Sequence, residues 1–120
     1  MRSLKFRVWS EEDREYRTDC KLRYLFTSPT GLPSTVYNDE GDRFDIEQYT
    51  GLKDKNGKEI YEGDIVEIFG DIARVSWLND GCCFHADNDD GYIATIYLVS
   101  KHGDVIGNIH ENPELLEEGV

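Results

Sequence analysis

The sequence predicts a mainly β protein with a small barrel, an N-terminal β addition and a short C-terminal helix. Several short segments are rich in β-branched and aromatic residues, which favour the pleated, half-buried surface of a sheet. Turn residues separate these segments at intervals of about 8–12 residues, a spacing typical of small barrels and sandwiches. Strands do not alternate with helical patterns, and this excludes the α/β folds that bind nucleotides.

Residues 1–48 are predicted to form an N-terminal β arm or small sheet. Apolar and polar side chains alternate at 4–9 (LKFRVW) and again at 44–49, the period-two pattern of a strand. Shorter strands are expected at 22–26 and 35–37, on either side of a segment that contains Pro, Gly and Ser. The acidic stretch after residue 9 is predicted to be a loop, because few apolar residues follow it to form a helix face.

Asn56-Gly57, with Lys55 and Lys58 on its two sides, is the strongest turn signal in the chain. This dipeptide tolerates positive φ at two successive positions, as a type I′ hairpin turn requires. Asp64–Phe69 follows as a run of β-branched and apolar residues. The segment therefore predicts a hairpin that leads into a core strand.

Residues 49–110 are predicted to form an SH3-like β-barrel that begins with this hairpin. After Phe69 the chain is expected to turn at Gly70-Asp71 and to return as an alternating strand at 72–78. Tyr92–Ser100 (YIATIYLVS) is the most strand-like segment, and its continuous apolarity predicts burial on both faces of a sheet.

A short helix is predicted at 111–118. Asn112 is a good N-cap, Pro113 suits the first helical position and Glu114 places an acid in the first turn. The arm, the barrel and this helix together are assigned to one domain, 1–120, a length that suits a single core.

Three motifs of the chain resemble one family when they are taken in their order. They are LKFRVW (Leu4–Trp9), QYTGLKDKNGKEIYEGDIV (Gln48–Val66) and VIGNIHENPELL (Val105–Leu116). Together they resemble the YopX-type family of bacteriophage and prophage proteins, and the resemblance spans essentially the whole chain. It implies a small, mostly β protein of phage or prophage origin with a compact barrel-like part, and it implies no particular activity.

The chain is strongly acidic, with 13 Lys and Arg against 25 Asp and Glu and a formal net charge of −12. This charge favours solubility and basic partners. It argues against direct nucleic-acid binding, since neutralisation of phosphates supplies most non-specific affinity there. An acidic protein can also imitate the phosphate array of DNA, so a nucleic-acid mimic that binds a basic host protein is one alternative function.

The cysteines and the lengths of the apolar segments indicate the cellular compartment of the protein. Cys20, Cys82 and Cys83 show no spacing of a disulfide framework, and reduced thiols fit a cytosolic protein. The N-terminal residues lack the apolar core of a signal peptide, and no run approaches the ~20 apolar residues of a membrane span. We therefore expect no membrane association and a location in the cytoplasm of the bacterial host.

Cys83 and His85 are the sharpest candidates for metal chemistry, because they share a face of the predicted strand whereas Cys82 points the opposite way. Two ligands without a second pair fall short of a zinc site, even with Asp87, Asp89 and Asp90 nearby. The acidic run 87–91 also lacks the ligand spacing of a calcium loop. We predict no metal and no cofactor, and a metal-dependent enzyme centred on Cys83 and His85 is a second alternative function.

No nucleophile elbow, phosphate-binding loop or dinucleotide fingerprint is present in the sequence. We therefore predict a non-enzymatic protein-interaction module with no catalytic residues. Four aromatic residues form the candidate interaction surface, because barrels of this type bind peptides through aromatic grooves: Tyr61, Trp77, Tyr92 and Tyr97. The expected partner is another protein, or a second copy bound through an exposed edge strand.

Overall fold

The computed structural model describes residues 5–17, 35–37, 40–78 and 83–118. The predicted strand at 22–26 and the two residues Cys20 and Cys82 lie outside these ranges. The described chain is mainly antiparallel β structure with two short helices, so the predicted fold class is confirmed. It divides into two compact units, Lys5–Gln48 and Tyr49–Val120. The assignment of 49–110 to an SH3-like barrel stays a prediction.

The first unit is an antiparallel sheet in the order β2-β1-β4-β3. Its strands are β1 (Phe6–Ser10), β2 (Glu15–Arg17), β3 (Thr35–Tyr37) and the first part of β4 (Arg43–Lys53). Val8 lies opposite Ile46, and these two buried side chains form a small core with Phe6 and Phe44. The alternation predicted at 4–9 and 44–49 therefore corresponds to the two central strands.

A buried carboxylate completes the first unit. Glu47 is 4% exposed, and its Oε1 accepts hydrogen bonds from Arg7 Nε at 2.8 Å and from the Tyr16 hydroxyl at 2.9 Å. A charge removed from water is tolerated when such partners surround it. The Tyr16 ring also packs edge-on against the fully buried Trp9, at 5.0 Å between ring centroids.

The second unit contains a five-stranded antiparallel sheet in the order β10-β6-β7-β8-β9. Its strands are β6 (Asp64–Ile68), β7 (Asp71–Leu78), β8 (Cys83–Asn88), β9 (Gly91–Thr95) and β10 (Asp104–Asn108). The strand β5 (Glu59–Tyr61) pairs with the second part of β4. The helix α1 (Ile96–His102) packs against β6, β8 and β9, and α2 (Glu114–Glu118) packs against β7. None of the helices in the described ranges is long and apolar enough to cross a membrane.

One face of the sheet and the inner side of α1 form the core of the second unit. Successive residues of a strand point to opposite faces, so alternate residues of β6, β7 and β8 contribute to this core. The core consists of Ile60, Val66, Ile68, Ala73, Val75, Phe84, Ala86, Ala94 and Val99. The opposite face of β7 and β8 carries the polar side chains described below.

The hairpin between β4 and β5 forms as predicted, but its turn type was predicted wrongly. Gly57 has φ of +87°, whereas Asn56 is not among the described residues with positive φ. The Gly57 amide donates to the Asp54 carbonyl at 3.0 Å, and the Asp54 amide donates to the Lys58 carbonyl at 2.8 Å. This is a three-residue loop, a type I turn followed by a left-handed glycine, and a type I′ turn is absent here.

The carboxylate of Asp54 explains the choice of this loop. It accepts hydrogen bonds from the backbone amides of Asn56 and Lys58 within the loop, each at 2.9 Å. It also accepts one from the amide of Val105 on β10, at 2.9 Å. Burial of Asp54 alone would raise the pKa of its carboxyl group, but these backbone hydrogen bonds hold the pKa below its usual value.

A type I′ turn does occur in the next hairpin, between β6 and β7. Ile68 pairs with Asp71, which leaves Phe69 and Gly70 as the two turn residues, with φ of +52° and +84°. The turn therefore lies one residue earlier than predicted, and Phe69 belongs to the turn instead of the strand. Asn, Asp or Gly is the usual residue at this position.

The prediction of a strand over Tyr92–Ser100 is wrong from Ile96 onward, where α1 begins. The Thr95 hydroxyl accepts a hydrogen bond from the Leu98 amide at 3.3 Å and caps the first turn. At the other end the Gly103 amide donates to the Val99 carbonyl at 2.8 Å. Burial on both faces was also predicted wrongly, because Tyr97 is 60% exposed and only the Val99 side of the helix is buried. Capping and the docking of Val99 outweigh the β-rich composition.

The predicted C-terminal helix is present as α2, preceded by a tight turn. The side-chain oxygen of Asn108 accepts hydrogen bonds from the amides of His110 and Glu111, at 3.0 and 2.9 Å. Asn112 lies against Gly107 so closely that a Cβ at Gly107 would come within 2.6 Å of its side-chain oxygen. The positions of glycine and asparagine in residues 107–112 (GNIHEN) are therefore explained by the packing of this turn.

We expect Asp54→Ala to lower the free energy of unfolding by about 3 kcal/mol, because three backbone amides lose a charged acceptor and one of these hydrogen bonds joins the loop to β10. Denaturant unfolding at neutral pH measures the loss. Asp90→Ala, in the exposed turn between β8 and β9, is the control and should change stability by less than about 0.5 kcal/mol. Equal losses in both variants would contradict the role given to Asp54.

The same carboxylate predicts a pH dependence of stability. Its pKa is lower in the folded than in the unfolded state, so the unfolded state binds more protons near the ordinary aspartate pKa of about 3.9. The stabilisation is complete well above that pH and is lost as the pH falls through the lower, folded-state value. Unfolding of the wild type and of Asp54→Asn from neutral to acidic pH should therefore give curves that converge on acidification; a constant separation would contradict this account.

Candidate functional site

A charged row crosses β7 and β8 on the sheet face opposite the core. Arg74 lies beside Asp87 on the neighbouring strand, and Arg74 Nε donates to Asp87 Oδ1 at 3.0 Å. The other carboxylate oxygen of Asp87 meets His85 Nε2, and Arg74 also lies 3.9 Å from Asp89. Alternation along β8 places His85 and Asp87 together on this face.

His85 is the most enclosed member of the row. It is 8% exposed, and the Tyr92 ring packs edge-on against it at 5.7 Å between centroids. Its Nδ1 atom is buried and has no hydrogen-bond partner among the described residues. One ring nitrogen therefore contacts a carboxylate and the other is sealed from solvent, which leaves no nitrogen free to exchange a proton with a bound substrate.

Cys83 lies on the same face as His85 and has an exposed free thiol. In the described part of the chain, neither Cys83 nor His85 belongs to a group of three side chains close enough to ligate one metal ion. Cys83 and His85, the two candidates predicted from sequence, therefore gain no third ligand from the described residues. They supply two of the four ligands that a structural zinc site needs.

The four aromatic residues predicted as an interaction surface lie in different surroundings. Tyr61 is half-buried against Tyr49, at 5.4 Å between ring centroids. Trp77 and Tyr92 are 43% and 58% exposed, but they lie on different faces of the sheet. Trp77 lies on the core face, and Tyr92 lies on the opposite face that carries the charged row, which we call the charged face. These two rings cannot line one groove.

Tyr97, the fourth predicted residue, belongs to a continuous exposed surface. We call the set of Phe69, Tyr97, Leu98, Lys101 and His102 the Phe69 surface. Phe69 packs against the His102 ring at 5.2 Å between centroids, and the Lys101 ammonium lies 5.6 Å from the centre of the Tyr97 ring. Leu98 is four residues before His102, so the two are neighbours on α1. Phe69, Tyr97 and Leu98 are 68%, 60% and 37% exposed.

The backbone of Phe69 singles it out within this surface. A left-handed conformation costs a residue with a β-carbon roughly 1–2 kcal/mol. An aromatic residue at φ of +52° is therefore a real outlier, and its ring gains little burial in exchange. Residues in such sparsely populated backbone conformations cluster at functional positions, and the Phe69 ring stays largely exposed despite its contact with His102.

Sequence reasoning missed Phe69, Leu98 and His102, because it assigned them to buried strands or to a turn. Asp64–Phe69 was predicted to be a core strand, and α1 was not predicted. Thr95 followed by basic residues and Gly103 was the available signal for a short helix.

A family model described as "YopX protein" matches residues 5–117. The chain belongs to the YopX family. The resemblance carried by the three sequence motifs is thereby confirmed.

A solved structure supports the fold. A crystal structure of protein EF1440 from Enterococcus faecalis is similar to this YopX protein, with a TM-score of 0.63 and 24% sequence identity. The similarity covers 97% of this chain and 99% of that chain, and at this identity it shows a shared fold alone. No curated protein matches the chain.

The two long motifs behind the YopX resemblance meet in space. Asp54, in the motif Gln48–Val66, accepts a hydrogen bond from Val105, the first residue of the motif Val105–Leu116. The Gly63 carbonyl accepts another from the Ile109 amide at 2.9 Å. These motif residues thus hold the second unit together, and the Phe69 surface lies outside both motifs.

We expect Phe69→Asn to raise the free energy of unfolding by about 1 kcal/mol, because asparagine tolerates the left-handed conformation and little burial is lost. Denaturant unfolding measures the change. Phe69→Ala is the control: it removes the ring but keeps a β-carbon without asparagine's tolerance, so it should give no gain. A loss of more than about 1 kcal/mol in the Asn variant would mean that the ring supports the fold.

Proposed function

We propose that this YopX protein is a non-enzymatic protein-binding module that docks a partner through the Phe69 surface. The observation that carries the proposal is an exposed aromatic ring held in a strained turn, beside two further exposed apolar side chains on α1. Aromatic residues of this kind are the usual energetic centres of protein interfaces.

The rigidity of the elements that present the surface supports this function. Phe69 stands in a two-residue turn between paired strands, and α1 is capped at both ends and buried through Val99. Side chains on such elements lose little conformational freedom on binding, so more of their contact energy contributes to affinity. Tyr97 and Phe69 also need few torsions to be fixed.

The chemistry of the charged face supports a binding role over catalysis. His85 has one nitrogen on Asp87 and one sealed nitrogen, and Cys83 has no hydrogen bond to that imidazole. Nucleophilic catalysis needs a nucleophile within hydrogen-bond reach of its base. This favours a structural role for the row.

A partner other than a second copy is the better fit. Two chains that each carry a net charge of −12 repel each other. The outer strand β9 has five residues, and its pairing with β8 is interrupted by a bulge, a feature that protects a sheet edge from pairing with another chain. We place the origin of the protein in a phage or prophage, as the family resemblance implies, and this interaction in the cytoplasm of the bacterial host.

Affinity capture from a bacterial lysate, followed by binding measurements with the purified partner, tests the function. We expect Phe69→Asn to weaken binding at least tenfold, the usual effect of losing an aromatic centre worth about 2 kcal/mol. Tyr92→Ser, which removes an exposed ring on the charged face, is the matched control and should bind like the wild type. If Tyr92→Ser loses the partner and Phe69→Asn retains it, the proposal is wrong.

A further inference from the structure

We infer that the partner presents a basic surface with an apolar anchor to the Phe69 surface; this inference rests on the proposed function and adds the chemistry of the partner. The exposed Phe69 ring offers an apolar contact together with Tyr97 and Leu98. The charges around that ring favour a basic partner.

Exposed carboxylates flank Phe69 on both strands of its hairpin. Glu67 precedes the turn on β6 and Asp71 follows it on β7. Both are exposed, and they point to opposite faces of the hairpin, because Asp71 lies opposite Ile68. The neighbouring turn, which carries Asp90, lies at the same end of the sheet because adjacent strands are antiparallel. A hydrogen bond of 3.1 Å from the Asn88 side chain to the Ile72 carbonyl joins the two turns.

Two of the cations near these carboxylates are paired with other carboxylates, and the third, Lys101, belongs to the Phe69 surface itself. Arg74 pairs with Asp87, and Lys55 lies 3.2 Å from Asp104. Lys101 lies over the Tyr97 ring. Within the residues that the structure describes, no ion pair involves Glu67, Asp71 or Asp90, so these three carboxylates outnumber the Lys101 ammonium and leave an excess of negative charge near Phe69.

This charge pattern selects among possible occupants. Nucleic acid and anionic lipid surfaces carry the same sign as the flanking carboxylates and are repelled. A second copy meets the same repulsion. A protein segment that combines Lys or Arg with an aromatic or aliphatic side chain complements both the charge and the apolar contact. One source of such a segment is the nucleic-acid-binding face of a host protein, which this acidic chain would then occlude.

Selection from a library of random peptides on the full chain tests the inference. We expect the enriched peptides to combine Lys or Arg with an aromatic or aliphatic residue, and to bind Phe69→Asn at least tenfold more weakly. The double variant Glu67→Gln/Asp71→Asn should bind the same peptides about tenfold more weakly at low salt, since flanking charges govern association. Glu114→Gln/Glu117→Gln, on exposed positions of α2 with the same change in net charge, is the matched control and should stay within about twofold of the wild type.

The outcomes separate the two claims. Neutral or acidic peptides that require Phe69 would overturn the basic partner and leave the proposed function standing. Basic peptides that weaken equally in both double variants would also overturn it, because only overall charge would then matter. Peptides that bind Phe69→Asn as well as the wild type, or a failure to enrich any Phe69-dependent peptide, would overturn the proposed function itself. For a peptide that passes these tests, DNA-binding proteins are then added as competitors for the Phe69 surface. Displacement of the peptide supports a nucleic-acid-binding partner, and no displacement supports another kind of basic protein.

Discussion

The second unit depends on one buried carboxylate, that of Asp54. Its oxygens accept hydrogen bonds from two amides of its own loop and one amide of β10, so one side chain joins segments that are 51 residues apart in sequence. A carboxylate in this position replaces the water that those amides would otherwise bind, and its lowered pKa means that the folded state favours the charged form. The hairpin loop is consequently fixed in shape and in place.

The position of the Phe69 surface follows from that loop. The Lys55 amide, one residue after Asp54, donates to the Gly103 carbonyl at 3.2 Å, and the Ser100 hydroxyl donates to the Lys53 carbonyl at 2.6 Å. Both contacts hold the C-terminal end of α1, where His102 packs against Phe69. The exposed aromatic surface is thus built on elements that the fold already holds rigidly, the arrangement that a binding site requires.

Local patterns in the sequence predicted the β class, most strand positions and the C-terminal helix, because period-two alternation and turn residues act over a few neighbouring residues. The loop at Asn56-Gly57 escaped prediction, since its shape depends on Asp54 and on Val105 from a distant strand. The helix α1 escaped because its β-branched composition favours a strand, and only the cap at Thr95 and the docking of Val99 decide otherwise. For the site, Tyr97 was predicted as a surface aromatic, whereas Phe69 was hidden by an apolar pattern that normally indicates burial.

The most direct test of the Phe69 surface is a map of backbone amide chemical shifts in the full chain, recorded with and without the partner that capture identifies. We expect signals from 67–71 and 96–102 to change on binding, while those of His85, Asp87 and Tyr92 on the charged face stay in place. Changes concentrated at His85 and Tyr92, with the Phe69 turn and α1 unaffected, would contradict this expectation and would place the functional surface on the opposite face of the sheet.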